Sequence, residues 1–105
     1  MSIAIVYTTY ADEASAKQIG RALVEERLAA CYNLLPIQSC FFWAGALTHE
    51  DEWVAILKTH PARLAALRTR YLDLHPYETP CCIHWEVEAN SAYAAWVEAA
   101  TLDSP

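Results

Sequence analysis

Residues 30–59 read ACYNLLPIQSCFFWAGALTHEDEWVAILKT, and the organisation of the chain turns on this stretch. From Ala30 to Trp43 it is rich in Cys, Tyr, Leu, Ile and Phe, which predicts one long strand. Pro36 cannot donate a ladder hydrogen bond, so a bulge or an edge position is expected there. Ala44-Gly45-Ala46 supplies a turn, and Trp53 to Thr59 returns as a second β run. The two runs predict an extended hairpin.

Upstream, Ile3 to Thr8 is a short, β-branched apolar run suited to a central strand. Asp12 offers a helix cap, and Ala16, Ile19, Leu23 and Leu28 recur at helical spacing while Lys17, Arg21 and Glu25 face away. This predicts a helix over 13–28. Gly20 inside it costs about 1 kcal/mol against Ala, which suggests a close approach of the helix to the sheet. Downstream, Pro61 suits a first helical position. Leu64, Leu67, Tyr71 and Leu74 mark one face of a second helix that must stop before Pro76. Cys81 to Glu88 alternates, with Ile83, Trp85 and Val87 on one face, as a half-buried fourth strand does. Ser91 to Ala100 carries Tyr93, Trp96 and Val97 at helical spacing and predicts a short terminal helix. The order β, α, β, β, α, β with a helical tail is an α+β, ferredoxin-like split βαβ arrangement with an antiparallel sheet.

The 105 residues suit one domain, 1–105. A net charge of −6 with only seven basic residues, scattered along the chain, excludes binding to nucleic acid or to an anionic membrane. Met1-Ser2 leads straight into the first strand without a signal-like segment, so a cytoplasmic location with reduced thiols is expected. Four cysteines, Cys31, Cys40, Cys81 and Cys82, show no zinc-type spacing. With both helices on one sheet face, the other face is left to water or a partner. Four Trp, six Tyr and two Phe are more aromatic surface than so small a two-layer core hides, which points to a closed homo-oligomer.

Three blocks resemble the CutA family of proteins linked to divalent-cation tolerance. They are Glu26-Arg27-Leu28-Ala29-Ala30-Cys31-Tyr32-Asn33, then Ser39, Trp43 and Gly45 with Glu52 and Lys58-Thr59, then Leu74-His75-Pro76-Tyr77-Glu78-Thr79-Pro80. Asn90, Tyr93 and Trp96 follow at the family's positions. The resemblance implies a homotrimer in which long strands of neighbouring subunits pair edge to edge, hiding edges that would otherwise aggregate. It also implies a role in tolerance of copper and other divalent cations, with weak binding of copper or another divalent cation and no organic cofactor. In copper-binding members the proposed ligands include a Cys near the end of strand one and a second His before the motif His. Tyr7 and Leu74 stand at those positions here, which leaves His75 as the metal candidate.

Imidazole suits copper, but His75, just before Pro76, also suits capping of the last helical carbonyls. Cys81 and Cys82 are adjacent on a strand and point to opposite faces, so they do not chelate together. A soft Cu(I) site would draw instead on Cys31 or Cys40. The family places Cys31, Asn33, Trp43, Lys58, Tyr77 and Glu78 near a cleft between subunits, with Lys58 and Glu78 expected as an ion pair. Glu50-Asp51-Glu52 reads as solvated surface charge. No Ser-His-Asp order, His-Glu-x-x-His, P-loop or dinucleotide pattern occurs, so a non-enzymatic protein is expected. The alternative is a small-molecule sensor like the PII signalling proteins, using the same inter-subunit clefts.

Overall fold

Strand β1 (Ser2–Tyr10) leads into helix α1 (Glu13–Glu25). The long strands β2 (Cys31–Trp43) and β3 (Ala46–Thr59) follow, then a 3-10 turn at Pro61–Arg63, helix α2 (Leu64–Leu74), strand β4 (Cys82–Glu88) and helix α3 (Ser91–Leu102). These elements come from a computed structural model that describes residues 1–102. The strands form one antiparallel sheet in the order β2-β3-β1-β4. This is the predicted ferredoxin-like arrangement.

Local chemistry sets the ends of α1. The Asp12 carboxylate accepts from the Ser15 N–H at 2.7 Å, an N-cap that satisfies one orphan donor of the first turn. The helix ends at Glu25, short of the expected Leu28. Arg27 turns left-handed with φ 62°, the Arg27 N–H donates to the Val24 carbonyl, and the Leu28 N–H reaches back to the Leu23 carbonyl. That is a Schellman closure built on arginine in place of the usual glycine. Gly20 has the predicted use. A Cβ there would lie 3.0 Å from the Tyr32 ring, so its absence lets α1 settle on β2.

The sheet buries both faces of β1. Val6 and Tyr10 point into a core with Leu23, Leu57, Leu67 and Tyr71, beneath α1 and α2. Ile3 points the other way and packs with Ala30, Ala94 and Val97, so α3 covers part of the face expected to be left open. Burial of each such Leu, Val or Ile is worth about 1.5–3 kcal/mol. In β4 neither row is buried throughout, though Val87 of the apolar row packs against the Ile3 cluster. Ile83 and Trp85 are 54% and 45% exposed, whereas Cys82 of the opposite row packs against the core.

β2 and β3 pair without interruption from Cys31 opposite Lys58 to Trp43 opposite Ala46. Pro36 therefore causes no bulge. It sits on β2, the sheet edge, where a missing donor is harmless. β3 begins at Ala46, well before the expected Trp53, because the partner strand carries its charged residues into register. β1 pairs only with the Trp53–Thr59 half of β3, so Ile37–Trp43 and Ala46–Glu52 form a two-stranded ribbon beyond the body. A 14-residue strand at about 3.3 Å per residue spans about 46 Å, which matches the 46 Å long axis of the molecule.

Candidate functional site

His75 ends α2, and its backbone takes the extended geometry that the following proline demands. Its ring is 7% exposed, stacked on Tyr10 with centroids 5.1 Å apart and flanked by Tyr71 and Tyr77. The two ring nitrogens have different jobs. Nδ1 accepts from the Tyr77 N–H at 3.1 Å, and Nε2 lies 2.8 Å from the Thr9 carbonyl oxygen. An amide can only donate and a carbonyl only accept, so the proton sits on Nε2. The ring thus caps the following turn and the end of β1, not the helix carbonyls; the helix is closed by the His75 N–H donating to the Tyr71 carbonyl. Coordination of a metal through either ring nitrogen would cost one of these hydrogen bonds.

The turn that His75 holds is one wall of a cleft of about 500 Å³. The wall is pinned at its far end as well, because the Tyr71 hydroxyl donates to the Cys81 carbonyl at 2.6 Å. Opposite it stands the ribbon face bearing Phe41, Trp43, Glu50 and Glu52, with Tyr77, Glu78 and Cys81 on the near side. Three carboxylates line the cleft, and no Lys, Arg or His does. Glu52 is only 9% exposed and, among the described residues, makes no ion pair or side-chain hydrogen bond, its carboxylate oxygens keeping contact with solvent. Burial and the Glu52 and Glu50 charges raise the Tyr77 phenol above its ordinary range, and burial with Glu52 raises the Cys81 thiol, so both stay protonated. The cleft is a negatively charged, aromatic-walled recess.

The remaining predicted residues gather elsewhere. Cys31 and Lys58 are cross-strand partners beneath α3, where the Cys31 thiol lies 3.7 Å from the Tyr93 hydroxyl and the Lys58 ammonium 5.6 Å from the Tyr93 ring centre. Asn33 follows on the same face and is exposed. Lys58 stands opposite Ile5 on β1, while the cleft opens at Thr9 near the other end of that strand. Within one chain the expected Lys58–Glu78 ion pair is therefore not formed. Trp43, Tyr77 and Glu78 line one recess within a single chain, whereas the resemblance places them at a cleft between subunits. Glu50 and Asp51 are exposed, as expected of solvated charge, but Glu52 is not; Glu50 and Glu52 both line the cleft, and among the described residues no three His, Cys, Asp or Glu side chains converge at metal-binding distance. The only advance sign of Glu52's role is its position, which puts it on the ribbon face shared with Glu50.

The model of the CutA1 divalent ion tolerance protein family matches residues 4–100. The chain belongs to the CutA family. Its relatives include the divalent-cation tolerance protein CutA of Thermotoga maritima, 38% identical over 99 residues that cover 93% of this chain and 98% of the relative. The crystal structure of CutA1 from Ehrlichia chaffeensis superimposes with a TM-score of 0.91 at 31% identity, covering 94% of both chains. The periplasmic CutA of Archaeoglobus fulgidus superimposes at 0.89 with 30% identity, over 94% of this chain and 98% of that one. Family membership connects the fold to divalent-cation tolerance.

Proposed function

We propose that this chain acts in divalent-cation tolerance as a non-enzymatic homotrimer that weakly binds copper or another divalent cation in its acidic cleft. The observation that carries this reading is the gathering of three carboxylates, Glu50, Glu52 and Glu78, around one recess lined by no Lys, Arg or His. Like charges around one recess repel one another, and a bound cation relieves that repulsion. Oxygen donors accept a hard or borderline divalent ion. The small number of donors in one chain fits weak binding. His75 serves as a ligand only by giving up its hydrogen bond to Thr9 or to Tyr77, whereas as a support for the Tyr77–Glu78 turn it keeps both.

Trimer formation draws support from the unpaired β2 edge and from Phe42, Trp43, Leu47, Trp85 and Trp96, each 45–75% exposed. Edge pairing between subunits would cover these residues, and its seams would bring Lys58 of one chain toward the cleft of another. The free state of all four cysteines suits a reducing compartment, and we place the protein in the cytoplasm. The alternative of a PII-like sensor gains no support from the relatives described above, which are CutA proteins.

Calorimetric titration of the reduced protein with Cu²⁺ and Zn²⁺ tests the cleft. Glu52→Gln keeps the shape, removes the charge, and is expected to weaken binding tenfold or more. His75→Gln is expected to weaken it less. Undiminished binding in Glu52→Gln would overturn the cleft assignment, and a loss confined to His75→Gln would make the imidazole the ligand.

A further inference from the structure

The reverse face of the ribbon carries a second constellation, separate from the cleft. Alternation along β2 and β3 sends Phe41, Trp43, Glu50 and Glu52 to the cleft face and Cys40 and His49 to the other. Cys40 and His49 are directly paired across the strands, both are exposed, and the Cys40 Sγ lies 3.9 Å from the His49 Nε2. We infer that this pair is a site for a soft, low-coordinate metal ion, with Cu(I) as the ion it fits.

The spacing is that of two donors around one ion. Bonds of about 2.3 Å to sulfur and about 2.0 Å to nitrogen sum to about 4.3 Å, so a linear two-coordinate ion needs Sγ and Nε2 to part by about 0.4 Å from their 3.9 Å separation, a shift that side-chain rotation at two exposed positions supplies without backbone movement. Thiolate and imidazole are the side chains that soft Cu(I) prefers. The donor count decides between ions. Among the described residues no third His, Cys, Asp or Glu completes a cluster here, so zinc, which takes four ligands, is poorly served, while Cu(I) is content with two. Binding replaces the thiol proton: Cys40 loses S–H, the proton goes to solvent, the S–Cu bond forms, and His49 donates the Nε2 lone pair while Nδ1 keeps the ring proton. The copper enters and stays as Cu(I), so no electron is transferred.

Cross-strand placement makes the pair ready before the ion arrives. Residues directly opposite each other hold their Cβ atoms about 4.5–5.5 Å apart, and the unbroken register from Cys31 to Trp43 fixes which residues meet. A slip of one residue would send Cys40 and His49 to opposite faces and abolish the site.

Anaerobic titration of the reduced, full-length protein with Cu(I), in competition with a chromophoric Cu(I) chelator, tests the assignment. The expected result is one Cu(I) per chain whose affinity falls at least tenfold in both Cys40→Ser and His49→Ala and is unmoved in Glu52→Gln. Both positions are exposed, so the variants keep the fold, and X-ray absorption of the copper-loaded wild type gives a reading that needs no variant: one sulfur and one nitrogen at bonding distance. Unchanged affinity in the two variants overturns the site. So does loss in Cys40→Ser alone, or a copper shell of sulfur only, since either would show a thiol acting without its histidine.

Discussion

Leu47 and Leu57 lie near opposite ends of the same strand, β3, yet one is 57% exposed and the other not at all. The residue type, the strand and the pairing partner strand are shared. What differs is the third layer: Leu57 pairs on its other side with Val6 of β1 and lies under α1 and α2, whereas Leu47 sits in a ribbon paired only with β2. Strand propensity alone does not stabilise a segment; a two-stranded ribbon is marginal in water until something covers it. The body supplies its own cover, and the ribbon does not.

The largest effect separates the two leucines. Leu57→Ala removes buried methyl groups from a packed core and is expected to cost about 2–5 kcal/mol of unfolding free energy. Leu47→Ala, at an exposed site, is expected to change protomer stability by less than about 0.5 kcal/mol while weakening self-association. Urea denaturation at several protein concentrations checks both. If Leu47→Ala matched Leu57→Ala at every concentration, the ribbon would be part of the body after all.

Alkali distinguishes the regions by titration. Burial pushes the Tyr10 phenol up to about 12, against the ordinary 10, even though its hydroxyl keeps a 2.9 Å hydrogen bond with Thr8. The neutral form is the one the fold favours, so this contribution is fully present below pH 10 and is lost as pH rises toward 12. At about 1.4 kcal/mol per pH unit, the loss is on the order of 3 kcal/mol. Burial raises the Tyr71 phenol too, which acts in the same direction. The ribbon carries no tyrosine. Unfolding midpoints followed from pH 9 to 12 are expected to fall steeply in the wild type and less steeply in Tyr10→Phe; equal slopes would show that the core phenols are not the cause.

The same division explains what could be read from the sequence. In the body, signals were local and unopposed: the Asp12 cap, the Gly20 gap filled by Tyr32, and the extended His75 before Pro76 were all legible. The early end of α1 was hidden because Arg27 adopts the left-handed geometry normally announced by glycine. The early start of β3 was hidden because Glu50, Asp51 and Glu52 look like loop, and only the opposite strand makes them ladder residues. The cleft was legible in part. Trp43, Tyr77 and Glu78 were named from the family pattern, but the turn that brings Tyr77 and Glu78 to the same recess as Glu52 is fixed by hydrogen bonds with His75 and Tyr71, which no spacing in the chain displays.

The smallest effect concerns the ribbon's closure. Trp43 and Ala46 pair directly, so Ala44 and Gly45 alone make the turn, with φ of 51° and 78°. Positive φ at both positions is the type I′ turn whose twist matches the strands, and it favours Asn-Gly. Alanine holds left-handed geometry at a cost of roughly 1–2 kcal/mol, which asparagine partly avoids by local hydrogen bonding. Ala44→Asn is therefore expected to stabilise the ribbon by about 0.5–1 kcal/mol, slowing amide exchange there by roughly twofold to fivefold. Body amides on β1 should not respond, because their protection reflects opening of the core and not of the turn. A uniform slowing across both regions would show that ribbon and body open together, and the boundary between them would vanish.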